Sequence, residues 1–464
     1  MASPAGSSGD DDDFAALLED DLEASDGEDE PRGGASAAGD GDGAPPAKRA
    51  RVEAGGSGGG SGNGCSHPAY LGDLCVVCGA QRPDGDARGL SLRHVHAALD
   101  VSEAEAARLR AAEHARSRRD GKLQLLLDLD HTLLNSEKIA RLEADGLLAD
   151  LYALKGVEPP PSTKSTGSEG EGGGARGHIA DFDPETLYNL RHIGMWTKLR
   201  PGARTFLREA ARLFELSVYT MGARAYAEEM ARLLDPDGSL FHGRIISKDD
   251  STNSHTKSTD VTLADNRTVL IVDDTEVVWP NQLANLVNVD RYHFYPSSRK
   301  TSARGERTAT DPGARPQMEA VLDSRVDECG EEGQLARVLE VIKRAHVAYF
   351  NNAESTQPDV RVGLASCRAE VLAGTVLLFT RVIPLEQARD ARRHQLVRAA
   401  EGLGARVVHA ECDEVTHVVA GAAGTGKARW GRKFRKHVVS PKWLWDCHFR
   451  WKHLDESQYP PKDA

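Results

Sequence analysis

The chain has 464 residues, 39% of them hydrophobic, which is enough for two or three independent cores, and it holds no apolar run of about 18 residues that could cross a membrane. Its first residues are small and acidic rather than basic and then apolar, which excludes the pattern of a secretory signal; seven scattered cysteines argue against a disulfide framework and for a reducing compartment. The formal net charge of −13 is uneven, with twelve Asp/Glu and no Lys or Arg in residues 1–30 against sixteen Lys/Arg and ten Asp/Glu in 371–464, so the basic end attracts acidic partners, phosphopeptide or nucleic acid alike.

Residues 1–62 are rich in Gly, Ala, Ser and Asp. They cannot bury enough apolar surface to offset ordering entropy, so a disordered tail is predicted. Phe14, Leu17, Leu18 and Leu22 among acidic neighbours read either as a solvated tail or as a segment that folds on a partner. The Pro-flanked basic run at 45–52 has the form of a nuclear import signal, a form that also arises by chance. Residues 63–120 follow as a second region. There Cys65, His67, Cys75 and Cys78 offer four ligands of the kind a structural zinc ion takes, and Gly79 eases the tight turn. The alternative is a linker with incidental thiols. A helix is predicted over 101–119.

Residues 121–300 read as an α/β domain. Short apolar runs at 123–127, 213–220 and 268–274 alternate with helical patterns at 203–213 and 224–234, the mark of a doubly wound parallel sheet. Residues 156–180 and 301–332 are polar insertions. A helix with Leu335, Val338, Leu339, Ile342 and Tyr349 on one stripe follows, then a predicted linker over 351–368, so that 301–368 reads as helix and linker. The last region, 369–464, repeats an α/β pattern in miniature, with strands at 375–379, 406–409, 415–420 and 438–439. Its first helix carries Leu396, Ala399, Ala400 and Leu403 and closes on Gly404.

Ligands of such sheets bind beyond the carboxyl ends of the strands, and each of the three strand ends is polar. Asp128 and Asp130 stand two apart just past the first strand, with Thr132 beyond them. One carboxylate can attack phosphorus while the other protonates the leaving oxygen and later activates water. Thr220 and nearby N–H groups at the second strand end can hold phosphate oxygens. Lys257 can neutralise the phosphoryl group, and Asp273 with Asp274 at the third strand end can hold Mg²⁺ and orient the site. A lone Asp-x-Asp-x-Thr is a common turn; four motifs at successive strand ends are not.

Asp128-Leu-Asp-His-Thr-Leu-Leu, Lys198-Leu-Arg-Pro-Gly202, Val218-Tyr-Thr-Met-Gly-Ala-Arg-Ala-Tyr226 and Ile271-Val-Asp-Asp274 resemble the RNA polymerase II carboxy-terminal-domain phosphatases, a haloacid-dehalogenase-type family. The resemblance implies a Mg²⁺-dependent nuclear enzyme that dephosphorylates Ser in the polymerase heptad repeats. It makes Asp128 the nucleophile, Asp130 the acid/base and Thr132 a support of the loop. Thr220 and Lys257 would bind phosphate; Asp128, Asp130, Asp273 and Asp274 would serve the metal. Lys248 stands where the family often has Arg. The phosphorylated polymerase tail is the implied partner, general transcription factors are further expected partners, and nucleic acid is not required. Trp443-x3-Cys447 after a Val-Val-Ser strand resembles a BRCT domain, a module the same family carries at its C-terminus. That resemblance makes Thr380, Thr425 and Lys427 a candidate phosphopeptide pocket, while Trp443 and Cys447 read as core. A phosphatase of another phosphoprotein or small molecule, and a phosphopeptide-binding adaptor, are the competing readings.

Overall fold

In the computed structural model the described residues are 64–83, 89–159, 178–251, 255–303, 313, 315–316, 319–351, 358–384 and 392–463. The predicted tail, the basic run at 45–52 and most of the 156–180 insertion lie outside them.

Leu123–Leu127 (β5) is the middle strand of a five-stranded parallel sheet. Being covered on both faces, it has no polar alternation to show. Four short strands precede it in the chain: Ala69–Leu71 (β1), Leu74–Cys75 (β2), Leu90–Ser91 (β3) and Leu99–Val101 (β4). They form an antiparallel sheet in the order β2-β1-β4-β3. Helix α1, Glu103–Asp120, follows, capped by the Ser102 hydroxyl, which accepts from the Glu105 amide, and ended by Gly121 at φ 68°. Strands of two or three residues are too short to carry a period, so this small sheet left no mark in the sequence pattern.

Phe214–Tyr219 (β9) lies on one side of β5 and Val269–Asp273 (β11) on the other, with Ile245–Ile246 (β10) and Leu286–Asn288 (β12) outside them. Leu127 is in register with Val218 across one edge and Val272 across the other. The chain therefore changes direction along the sheet at β5, and the three polar strand ends face one place. Leu134–Lys138 (β6), Leu187–Leu190 (β7) and Met195–Leu199 (β8) make a second, antiparallel layer in the order β6-β8-β7, with helices Ile139–Ala144 (α2) and Leu148–Lys155 (α3) between β6 and β7 in the chain.

The core of the large domain takes Phe206 and Leu207 from Ala203–Ala210 (α4) and Met230 and Leu234 from Arg224–Leu234 (α5). It also takes Leu335, Val338, Ile342 and Tyr349 from a helix of residues 334–351 (α6). The predicted linker over 351–368 is corrected here: residues 360–369 form a further helix, α7 (Val360–Ala369). Its Asp359 cap accepts from the Arg361 amide at 2.9 Å, and Val360 and Leu364 enter the same core. Gly363 lets the two helices touch, since a Cβ there would lie 2.9 Å from that of Ala348.

The C-terminal module is a four-stranded parallel sheet of Val376–Thr380 (β13), Arg406–Val408 (β14), His417–Ala420 (β15) and His437–Val439 (β16), in the order β14-β13-β15-β16. Helices Gln395–Gly402 (α8), Gly426–Lys433 (α9) and Pro441–Arg450 (α10) accompany it. Trp443 and Cys447 are fully buried in its core. The module does not hang free. The Gln334 side chain donates to the Phe449 carbonyl, and Trp451 packs against both the large core and the small one.

Candidate active site

Asp128 leaves β5 at its carboxyl end, its amide donating to the Val272 carbonyl at 3.0 Å. The chain then turns back on itself through His131, a non-glycine residue at φ 60°, a conformation that persists only where surroundings enforce it. The enforcement is visible. Arg200, 1% exposed, donates to the carbonyls of Thr132 at 3.2 Å and Asp290 at 3.0 Å. Its other edge pairs with both oxygens of Glu328, at 2.6 and 3.1 Å, the planar fork that only arginine offers. Beside it Lys198, fully buried, pairs with Asp327 at 2.9 Å. Both cations belong to a motif that the sequence displays without showing its purpose.

Lys257 reaches in from the segment before β11. Its Nζ lies 2.6 Å from Asp128 Oδ1 and 2.7 Å from Asp273 Oδ2. The rings of Tyr219 and Trp279 flank it at 5.8 and 5.7 Å. Trp279 Nε1 also donates to Asp273 Oδ2 at 2.8 Å. Asp274 faces the other way, accepting from Arg291 Nε at 2.7 Å, Thr275 Oγ1 at 3.0 Å and Thr132 Oγ1 at 3.3 Å. Thr132 thus ties the loop after Asp128 to the third strand end.

One carboxylate oxygen from each of Asp128, Asp273 and Asp274 falls in a group whose members lie within 4.8 Å of one another. All three acids are buried. Burial, and then the charges of Asp273 and Asp274, outweigh Lys257 and push the Asp128 carboxyl well above the usual carboxylate range; burial also raises Asp273. Asp274 is opposite: burial would raise it, but Arg291, His131 and Arg315 outweigh burial and hold it down at about 2. Arg291 pairs with Asp274, which leaves Lys257 alone between the two carboxyls of Asp128 and Asp273, an arrangement that suits a divalent cation. Mg²⁺ takes oxygen ligands, and Asp128, Asp273 and Asp274 offer three.

Asp130 stands outside that group. Its carboxylate accepts from the Tyr226 hydroxyl at 2.5 Å, and the same hydroxyl bonds Ser136 Oγ at 2.8 Å. Thr220, 1% exposed, directly follows β9; its Oγ1 accepts from the Gly222 amide at 3.0 Å, which leaves the hydroxyl proton to donate. Tyr226, Arg291, Trp279 and Arg200 were not singled out by the sequence, because each acts across the fold rather than along the chain.

The remaining candidates fall in two places. Cys65 Sγ lies 3.9 Å from Cys75 Sγ, and Cys78 Sγ lies 3.5 Å from His67 Nδ1. One ligand atom from each of the four falls within 4.8 Å of the others. In the C-terminal module Thr425 caps α9 by accepting from the Ala428 amide at 3.2 Å. Lys427 Nζ donates to the carbonyls of His409 at 3.0 Å and Phe379 at 3.4 Å. That places it beside the strand end of Thr380, which is half-buried. Lys427 and Thr380 thus share one end of β13, while Thr425 and Lys427 are engaged by the module itself.

Fold and site together define a phosphatase of the haloacid-dehalogenase class joined to a BRCT module. The sequence model of the NLI interacting factor-like phosphatases matches residues 123–303, and that of the BRCA1 C Terminus (BRCT) domain matches 379–448. The chain is 36% identical over 400 residues to RNA polymerase II C-terminal domain phosphatase-like 4 of Arabidopsis thaliana, covering 85% of this chain and 82% of that one. It is 35% identical over 346 residues to phosphatase-like 3 of the same plant, of which it spans 25%. A solved structure, "The Structure of Fcp1, an essential RNA polymerase II CTD phosphatase", matches 76% of this chain and 99% of its own with a TM-score of 0.54 at 25% identity. The chain belongs to the family of RNA polymerase II C-terminal domain phosphatases.

Proposed function

We propose that this phosphatase acts in the nucleus on phosphoserine in the heptad repeats of the RNA polymerase II tail, through an aspartyl-phosphate on Asp128. The observation that carries the reading is the buried contact of Lys257 with both Asp128 and Asp273 at a sheet's direction change. Relatives across 85% of the chain bear the name of phosphatases of that tail.

Lys257 engages Oδ1 of Asp128, so Oδ2 is the oxygen free to attack phosphorus. As the P–O bond to serine breaks, Asp130 gives its proton to the departing oxygen. Water then attacks the acyl phosphate and returns a proton to Asp130; inorganic phosphate leaves and Asp128 is restored. Charge is the main obstacle, because two like charges about 4 Å apart repel by about 4 kcal/mol in a partly screened site. A dianionic phosphate beside Asp128 meets that cost more than once. Lys257 and the Thr220 hydroxyl offset part of it, and Asp128, Asp273 and Asp274 would hold a Mg²⁺ that would supply the remaining neutralisation. A second metal, zinc, fits the Cys65, His67, Cys75 and Cys78 group in a structural role. The C-terminal module, with Lys427 beside Thr380, would hold a second phosphorylated residue of the same partner.

Phosphate release from a Ser-phosphorylated heptad peptide, with and without Mg²⁺, tests this for wild type and Asp128→Asn. Mg²⁺-dependent turnover, abolished by the substitution, is expected. Turnover of an aryl phosphate but not of the peptide would move the substrate elsewhere, and turnover by Asp128→Asn would overturn the nucleophile.

A further inference from the structure

The Cys/His group sits in a module with little core of its own. Among the described residues its small sheet and α1 bury only Ala69, Leu92, Val101 and Ala106 as a hydrophobic cluster, far less than a free-standing fold needs. Something else must hold it in shape. A disulfide does not, since Cys65 and Cys75 are 3.9 Å apart at sulfur, about twice the covalent length. Tetrahedral zinc with Zn–S bonds of about 2.3 Å would set sulfurs about 3.8 Å apart. The turn between Cys75 and Cys78 is built for that: the Gly79 amide donates to the Cys75 carbonyl at 2.9 Å, and Gly79 sits at φ 70°.

The same module touches the segment that delivers Lys257. Leu263 packs against its core together with Leu90, Leu99 and Leu109. Arg110 of α1 pairs with Asp260 at 2.6 Å. From the opposite side, Val261 and Ala264 pack with Tyr219 and Trp279, the rings that flank Lys257. Residues 257–264 are thus clamped between two layers, and one of them is the Cys/His module. The Arg110–Asp260 pair is exposed and contributes little by itself; the apolar seat of Leu263 is the stronger grip.

We propose that zinc in this group, bound by three thiolates and a neutral imidazole with three thiol protons released, sets the position of Lys257 by holding the outer layer of that clamp. The ion is a positioning element some distance from the chemistry, and removing it loosens a cation the phosphoryl group needs. The inference rests on the zinc reading above, and the experiment separates the two. Zinc content, amide hydrogen exchange over 257–264, and kcat and KM on p-nitrophenyl phosphate at saturating Mg²⁺ are measured on the full chain. Wild type is compared with Cys75→Ser, Leu263→Ala and Leu263→Met. Wild type and both Leu263 variants should keep one zinc per chain, and Cys75→Ser should lose it. Exchange over 257–264 should rise in Cys75→Ser and Leu263→Ala, with kcat falling about tenfold and KM holding within about twofold; Leu263→Met should restore both. A wild type without zinc defeats the zinc reading and this inference with it. Zinc lost from Cys75→Ser with exchange and kcat unchanged defeats the clamp alone. Should Cys75→Ser not fold, Leu263→Ala decides, and wild-type exchange and kcat in that variant overturn the clamp.

Discussion

At the scale of single residues the site depends on contacts that set angles more than on groups that react. Gly222 is an instance: a Cβ there would lie 2.7 Å from Tyr226 Cδ1, so Gly222→Ala should push Tyr226 off Asp130. We expect kcat to fall roughly 10- to 100-fold, as when a group that orients a reacting one is disturbed. Tyr226→Phe, which keeps the ring, should lose only the hydroxyl's share; equal turnover in wild type and both variants would remove Tyr226 from the machinery. His293 makes a different prediction. Burial, and then His131 and Arg291, push its imidazole down to about 2, and it is 4% exposed. The unfolded chain takes up a proton there below about pH 6.5 and the folded chain does not, so acid favours unfolding. The stability lost should reach about 2 kcal/mol by pH 5 and keep growing toward the folded value. Thermal melts at pH 7 and pH 5 should converge in His293→Phe relative to wild type. The strand-end acids, Thr220 and Lys257 could be named as candidates from the sequence because strand-end position and residue type suffice to suggest them. Tyr226, Arg291 and Arg200 were not, because their partners lie 96, 17 and 128 residues away, and spacing along the chain says nothing about such distances.

Among elements, the clearest case is the pair α6 and α7. Replacing Gly363 by Ala inside an exposed helix would add about 1 kcal/mol through helix propensity. Here the new methyl meets Ala348 Cβ at 2.9 Å and the Ala345 carbonyl oxygen at 3.1 Å, and such overpacking costs about 1–3 kcal/mol. The clash wins, so Gly363→Ala should lower the melting temperature; a raised one would mean the helices can part at no cost. The strands that flank the site announced themselves by apolar runs ending in acids or hydroxyls. Helix α7 did not, because Val360 and Val362 favour strands and Gly363 stands among its apolar positions. Antiparallel β6, β7 and β8 were missed for another reason. Asn135 and Glu137 are buried on β6, where Asn135 Oδ1 accepts from the Phe294 amide at 2.8 Å. Polar residues spent inward hide a strand from any hydrophobic count.

For the molecule as a whole, the third strand end and the C-terminal module share supports. Arg315 donates to the carbonyls of Asp274 at 3.2 Å and Val289 at 3.1 Å while its guanidinium lies 4.2 Å from the centre of the Phe449 ring on α10. Arg368, on α7, donates to the Leu286 carbonyl at 2.7 Å and covers Trp451. With Trp451 lodged between both cores, the catalytic domain and the BRCT module should unfold in one calorimetric transition; two separated transitions would show that they are independent. Truncation after residue 370 should leave an insoluble remainder rather than a smaller enzyme, since it bares the side of α6 and α7 that faces Trp451. The lodging of that tryptophan also bears on inheritance. A module sealed into its neighbour cannot be traded between genes in one step, because any exchange that takes the BRCT module must carry α6 and α7 with it or supply a new cover for them. The combination should therefore pass through descent as one piece, with variation gathering in the segments that touch neither core.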